Sequence, residues 1–156
     1  MKIEKEIRKH LDGDMQEGAL EFVAWLNANG MAPQLWFGPG FWRVPYGEIY
    51  LCGIHLRGPH SNKWVIWFWS GDYSGEADEA LMKFVEDHVG PCVKCGGDCK
   101  IQGLDMTIFG KEYTNVCCQF PVRFEDPDKN TLEQIKALIE YWKTAAPNKY
   151  SWHYRD

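Results

Sequence analysis

The sequence of 156 residues lacks several features that would place a protein in a functional class at once. It has no run of basic residues and a formal net charge of -5 at pH 7, so a phosphate backbone would attract it little and we expect no nucleic-acid partner. No stretch is apolar over the roughly 20 residues that a membrane-spanning helix needs. The first residues, MKIEKEIRKHLDGD, alternate in charge and contain no apolar core of a signal peptide. We therefore expect a cytoplasmic protein without a membrane partner.

The sequence also lacks the common catalytic and nucleotide-binding fingerprints. No G-x-S-x-G, H-E-x-x-H, P-loop or dinucleotide-binding motif occurs. Cys52 and His55 are close enough in sequence for a nucleophile and its base, but their opposite parity on a strand argues against such a pair. The catalytic residues, if any exist, are therefore unknown, and the sequence leaves open whether the protein is an enzyme.

Apolar residues at helical spacing predict three helical regions. The first is N-terminal and is interrupted at Gly13. A middle helix is predicted after a cap at Ser74, and a last helix begins at a capping box formed by Thr131 and Gln134. No internal repeat or low-complexity segment separates these regions.

Aromatic and β-branched runs between Gly, Pro and Asn residues predict strands near 34–37, 41–45, 48–57 and 63–70. Two later strands are predicted in DMTIFG and in YTNVCCQFPVRFEDP. The segment WVIWFW is apolar at both parities, which is typical of a central strand covered on both faces. The order of elements predicts one α+β domain over residues 1–156, with N-terminal, middle and C-terminal helices packed on a mainly antiparallel sheet.

The most unusual segment is PCVKCGGDCK, residues 91–100, which carries the pattern C-x2-C-x3-C in a loop between the middle helix and a late strand. In a reducing compartment such a cluster binds metal more often than it forms disulfides. If YTNVCCQFPVRFEDP is one strand, Cys117 lies on its polar face and Cys118 on its apolar face. The pattern then predicts a structural zinc site. Its predicted ligands are Cys92, Cys95, Cys99 and Cys117.

Other roles for these thiols stay open at this stage. C-x2-C-x3-C with a remote Cys is also compatible with an iron–sulfur cluster. A C-x-x-C pair can instead be redox-active. His88 and Asp98 are further candidate ligands, although His88 also fits the apolar face of the middle helix and Asp98 a solvated loop.

Aromatic residues are dense on the adjacent predicted strands. They indicate either a bulky core or a concave pocket for a planar or cationic small molecule. In the second interpretation, ring faces and a few polar groups together orient the ligand. The candidate ligand-binding residues are Trp36, Trp42, Tyr46, Glu48, Trp67 and Asp72, with His55 and Arg57 as further polar candidates.

At CVKCGGDC, MTIFGKEYTNVC and FEDPDKNTLEQIKALIEYW the sequence resembles a set of small uncharacterised bacterial Cys-rich α+β proteins. The resemblance covers about the C-terminal half and implies no known activity. The order of helices and sheet and the aromatic interior are loosely similar, at the level of fold, to GyrI-like effector-binding domains. We expect a small-molecule-binding or sensory domain of unknown ligand with a structural zinc site. The alternatives are an enzyme acting at an aromatic-lined pocket and a protein-interaction module.

Overall fold

The computed structural model describes residues 2–57, 64–68, 77–94 and 102–145. These residues form an α+β fold, as predicted, and none of their helices is long and apolar enough to cross a membrane. The helices are α1 (Ile3–His10), α2 (Gly13–Ala28), α3 (Glu79–Glu86) and α4 (Lys129–Ala145). The strands are β1 (Gln34–Gly38), β2 (Phe41–Tyr46), β3 (Ile49–His55), β4 (Val65–Phe68), β5 (Leu104–Ile108), β6 (Lys111–Val116) and β7 (Val122–Glu125).

The N-terminal helix is broken where the sequence predicts it. Gly13 begins α2 with a φ of 51°, a left-handed conformation that glycine adopts without a steric penalty. At the other end of α2, Gly30 has a φ of 74°, and the Met31 N–H donates to the Leu26 carbonyl at 2.9 Å. This glycine-based helix end turns the chain sharply towards β1.

The two later helices have caps other than those predicted. The carboxylate of Asp78 accepts the Leu81 N–H at 2.8 Å and caps α3, whereas the predicted cap Ser74 lies outside the described residues. The carboxylate of Asp128 accepts the Thr131 N–H at 2.7 Å, so Thr131 lies inside the first turn of α4. An aspartate suits this position because its charge also interacts favourably with the positive end of the helix dipole.

The main sheet has the strand order β1-β2-β3-β4-β7, and every neighbouring pair is antiparallel. The central position predicted for WVIWFW is confirmed for β4, whose four residues are all buried. Strand β1 is one edge of this sheet. At the other edge, Val89 forms a bridge with Val122 of β7, and the Arg123 N–H donates to the His88 carbonyl at 3.1 Å.

Residues that oppose each other across the strands project to the same face of the sheet. We call one side the helix face, because its residues belong to a buried cluster that includes side chains of α2 and α4. It consists of Trp42, Val44, Cys52, Ile54, Ile66, Phe68, Val122 and Phe124. The other side, which we call the aromatic face, consists of Phe41, Arg43, Gly53, His55, Val65, Trp67, Arg123 and Glu125.

The prediction of a single strand through YTNVCCQFPVRFEDP is wrong. Strand β6 ends at Val116 and β7 begins at Val122, and the two strands belong to different sheets. Asn115 has a φ of 58°, and the β5–β6 register shifts nearby, so the alternation of faces is already broken before Cys117. Cys117 is 6% exposed whereas Cys118 is half-buried, which reverses the relative burial that the parity argument predicts.

Candidate functional site

Four rings meet on the aromatic face. His55 is 1% exposed and lies edge-on to Phe41, with its ring centroid 4.4 Å from that of Trp67. The ring of Phe120, from the turn between β6 and β7, is nearly perpendicular to Trp67 at a centroid distance of 5.0 Å. We call Phe41, His55, Trp67 and Phe120 the aromatic cluster. It joins three strands of the main sheet to the turn that follows Cys117.

The indole of Trp67 lies directly over Gly53. A Cβ atom placed on Gly53 would lie 2.0 Å from Cζ2 of Trp67, which is far inside van der Waals contact. Gly53 is opposite Trp67 on the neighbouring strand, so the absence of a side chain there lets the ring lie flat against the backbone of β3. Gly53 therefore fixes the orientation of the central ring of the aromatic cluster.

The candidate ligand residues Trp42 and Trp67 do not lie on the same face. Trp42 opposes Ile54, and Ile54 opposes Ile66, so Trp42 is on the helix face, where it is 2% exposed. Trp67 projects to the aromatic face. The sheet backbone separates the two indoles, so they cannot line the one pocket that we expected from predicted strands that would be neighbours.

The other candidate ligand residues lie away from the aromatic cluster or outside the described residues. Trp36 is half-buried on edge strand β1 and stacks on Phe37 at 4.3 Å. Tyr46 is 38% exposed at the end of β2, where Nζ of Lys143 lies 5.2 Å from its ring centroid. Glu48 is exposed in the turn between β2 and β3, whereas Asp72 lies outside the described residues.

The structure brings two of the predicted metal ligands near each other. Pro91 forms a bridge with Val116, and the Cys92 N–H donates to the Asn115 carbonyl at 2.7 Å. Cys92 is thus opposite Asn115, and Cys117 is two residues further along. The ladder therefore places Cys92 and Cys117 on neighbouring chain segments.

The sulfur of Cys117 accepts a hydrogen bond from the backbone N–H of Phe120 at 3.4 Å. Cys95 and Cys99 lie outside the described residues. Within the ranges that the structure describes, no three or more His, Cys, Asp or Glu residues form a group that could hold a metal ion. The four-thiol zinc site therefore stays a prediction, for which Cys92 and Cys117 have compatible positions.

Two other residues considered from the sequence have structural roles. Nδ1 of His88 lies 2.7 Å from the Phe84 carbonyl, and its ring centroid lies 4.6 Å from that of Phe124. Cys52 is on the helix face, opposite to His55, and complete burial raises the pKa of its thiol well above the ordinary value. Cys52 and His55 therefore form no nucleophile–base pair, in agreement with the parity argument.

An acidic cleft of about 440 Å³ lies beside the starts of α2 and α4. It is lined by Asp14, Met15, Asp126, Asp128, Lys129 and Asn130. Two of its carboxylates are engaged with the backbone, because Asp126 accepts the Trp64 N–H at 3.1 Å and Asp128 caps α4. The hydrogen bond from Thr131 also holds the pKa of Asp128 below its usual value. These contacts give two of the three carboxylates of the cleft, Asp126 and Asp128, a role in the fold.

Sequence reasoning missed three residues that shape the aromatic face. Gly53 interrupts the apolar run IYLCGIH, and a glycine inside a strand often marks a close approach of another group. Arg43 is a charged residue on a strand of otherwise uncharged residues, FWRVPY. No sequence pattern could indicate the place of Phe120 on this face, because its position depends on the turn between β6 and β7.

Comparisons of the chain with protein-family models, curated proteins and solved structures find no match.

Proposed function

We propose that this protein is a small-molecule-binding or sensory domain, with its ligand on the aromatic face and a structural zinc ion held by its thiols. Phe120 carries this proposal, because it contacts both parts. Its backbone N–H donates to the sulfur of Cys117, and its ring packs against Trp67. A metal ion bound to Cys117 would therefore restrain a ring of the aromatic cluster.

The metal site is supported by the positions of the two described thiols. In a tetrahedral site with Zn–S bonds near 2.3 Å, sulfur atoms lie about 3.8 Å apart, which requires thiols that are close together, as on the neighbouring chain segments of Cys92 and Cys117. Cys95 and Cys99 would complete the set. The hydrogen bond from the Phe120 N–H orients the sulfur of Cys117, as outer partners of metal ligands commonly do. An iron–sulfur cluster would use the same four thiols.

Metal content and melting temperature test this half of the proposal in a matched pair of variants. We expect about one zinc per chain, and a lower melting temperature after chelation, because a metal that binds only the native state stabilises it. Cys117→Ser should lose the metal and reproduce the lower melting temperature. Cys118→Ala, at the adjacent position, should keep the metal. Iron with visible absorbance would identify a cluster instead, and a metal-free native protein would refute the site.

The ligand half of the proposal is supported by the chemistry of the aromatic face. His55 and Trp67 are each 1% exposed, but the partly exposed rings of Phe41 and Phe120 offer flat surfaces over them, and polar groups beside these rings can orient a planar compound. We expect planar compounds to stabilise the protein in a thermal-shift screen, and Trp67→Phe to reduce that stabilisation. If removing zinc also weakens ligand binding, the two sites are coupled as the position of Phe120 suggests.

The two alternatives make different predictions about the same protein. An enzyme at this face would convert a bound compound, and His55 would be its nearest titratable side chain. An interaction module would instead use the exposed apolar residues of edge strand β1, where Leu35 is 40% and Phe37 58% exposed. Product formation would favour the enzyme. A dimer that Phe37→Ser dissociates would favour the module.

A further inference from the structure

We propose that Arg43 binds a carboxylate group of a planar ligand on the aromatic face. This inference rests on the proposed function and specifies the charge of the ligand. Arg43 opposes Gly53, Gly53 opposes Trp67, and Trp67 opposes Arg123, so the four residues form one row across the sheet. Because Gly53 has no side chain, the indole of Trp67 extends over it towards the strand that carries Arg43.

The guanidinium of Arg43 is only partly satisfied. Its carbon Cζ lies 4.2 Å from the ring centroid of Tyr50, a cation–π contact that leaves the N–H groups at the edge of the guanidinium plane without acceptors. Nε is buried and has no hydrogen-bond partner. No carboxylate in the described part of the chain pairs with Arg43. A buried donor on a charged group is costly without an acceptor, so this position favours an anion.

The second arginine of the row differs from Arg43 in its ion pairing, although its Nη1 is also buried without a hydrogen-bond partner. Nε of Arg123 lies 3.8 Å from Oε1 of Glu125, so a carboxylate of the protein already balances part of its charge. Its guanidinium also packs against Gly90, where an added Cβ would lie 3.1 Å from Cζ and from Nε. Arg123 is therefore held in place by the protein. Arg43 is the arginine whose charge no described carboxylate neutralises.

The chemistry of the guanidinium defines the ligand class. Its planar fork can donate two parallel hydrogen bonds to one carboxylate, and it stays charged at all physiological pH values. The partly exposed rings of Phe41 and Tyr50 beside it favour a flat ligand body. The sequence alone suggested a planar or cationic ligand with Glu48 among its contacts, but Glu48 is exposed in a turn, whereas the half-buried charge on the aromatic face is positive. We therefore expect an aromatic or otherwise planar carboxylate.

Three probes of nearly equal shape test the sign of the charge. Benzoate is an anion, benzamide is neutral and benzamidine is a cation. Each is titrated into isotopically labelled zinc-loaded protein while the indole resonance of Trp67, assigned with Trp67→Phe, is followed by NMR. We expect benzoate to bind about tenfold more tightly than benzamide, the effect of one charge-assisted pair of hydrogen bonds, and benzamidine to bind most weakly.

Variants of Arg43 test whether this residue causes the preference for benzoate over benzamide. Arg43→Gln should remove the preference for benzoate and leave benzamide binding unchanged, which also shows that the face is intact. The control Arg8→Gln, at an exposed position on α1, should behave as wild type. If Arg43→Gln does not fold, Arg43→Lys replaces it, and we expect at least about a threefold loss of benzoate affinity because an ammonium group cannot form the planar fork.

The outcomes separate this inference from the function on which it rests. Tightest binding of benzamidine or benzamide, or benzoate binding that is unchanged in the Arg43 variant, would overturn the role of Arg43 while the proposed ligand site stands. If none of the three probes shifts the Trp67 resonance, the ligand site on the aromatic face is refuted, and the role of Arg43 with it.

Discussion

The two faces of the main sheet differ in chemistry although both contain deeply buried residues. The helix face consists entirely of apolar side chains and one thiol, and each is at most 2% exposed. The aromatic face includes two arginines, a histidine, a glutamate and a glycine. Polar groups are costly to bury, so a surface selected only for packing would resemble the helix face. The comparison motivates the proposal that the aromatic face has a role beyond stability.

The largest effect that we expect comes from truncating the helix face. Trp42→Ala should lower the free energy of unfolding by about 3–5 kcal/mol, because it removes a large buried ring and leaves a cavity. Urea denaturation measures this change. A loss below about 1 kcal/mol would show that the helix face is not the main core, and the contrast between the two faces would fail.

Conservative variants of two tryptophans sharpen the same contrast. Nε1 of Trp42 is buried without a hydrogen-bond partner, so Trp42→Phe removes no hydrogen bond and should cost less than about 1.5 kcal/mol. It should leave the binding of planar compounds unchanged. Trp67→Phe should weaken that binding, because it changes the ring that lies over Gly53. Equal binding defects in the two variants would show that the faces do not divide packing from recognition.

A smaller effect is expected from adding one methyl group to the aromatic face. Gly53→Ala forces Trp67 away from β3 and should destabilise the fold by about 1–3 kcal/mol, as overpacking does. The control is Gly18→Ala in α2, where the new Cβ would meet the flexible end of Leu132 at 3.2 Å and helix propensity improves. Combining Gly53→Ala with Trp67→Leu should recover part of the loss. Additive losses in the double variant would contradict contact between these two positions.

The helices and the central strand could be predicted from the sequence because local patterns determine them. The broken N-terminal helix and the buried stripe of α4 follow from a period of 3.6 residues, and the central strand β4 follows from a run that is apolar at both parities. The stripe consists of Leu132, Ile135, Leu138, Ile139 and Trp142, all of which are buried.

The aromatic face could not be predicted in the same way, because non-local positions and backbone irregularities determine it. The row of Arg43, Gly53, Trp67 and Arg123 depends on pairing between four strands. The separation of β6 from β7 depends on the left-handed backbone of Asn115, which strand parity does not reveal. A similar case is the β5–β6 turn. Phe109 and Gly110 both have positive φ there, although such turns usually begin with Asn or Asp.

The smallest effect concerns the one thiol of the helix face and appears only at high pH. Burial raises the pKa of Cys52, so its thiol stays neutral in the folded protein while the unfolded chain ionises near pH 8.5. The stability that the neutral thiol contributes is therefore complete below that pH and falls as the pH rises. Between pH 8 and 9.5 the wild type should lose about 1 kcal/mol of unfolding free energy more than Cys52→Ala does.

Urea denaturation of wild type and Cys52→Ala at the two pH values measures this difference. Subtracting the two results removes the contribution of titrating groups that both proteins share.

A thiol-labelling experiment gives an independent comparison, because Cys118 is half-buried and Cys52 is completely buried. In metal-free native protein, Cys118 should react well before Cys52, which should react only as the protein unfolds. If Cys52 reacts as fast as Cys118, or if the two proteins show the same pH dependence, the helix face admits water at its centre. The contrast between the two faces would then have lost its physical basis.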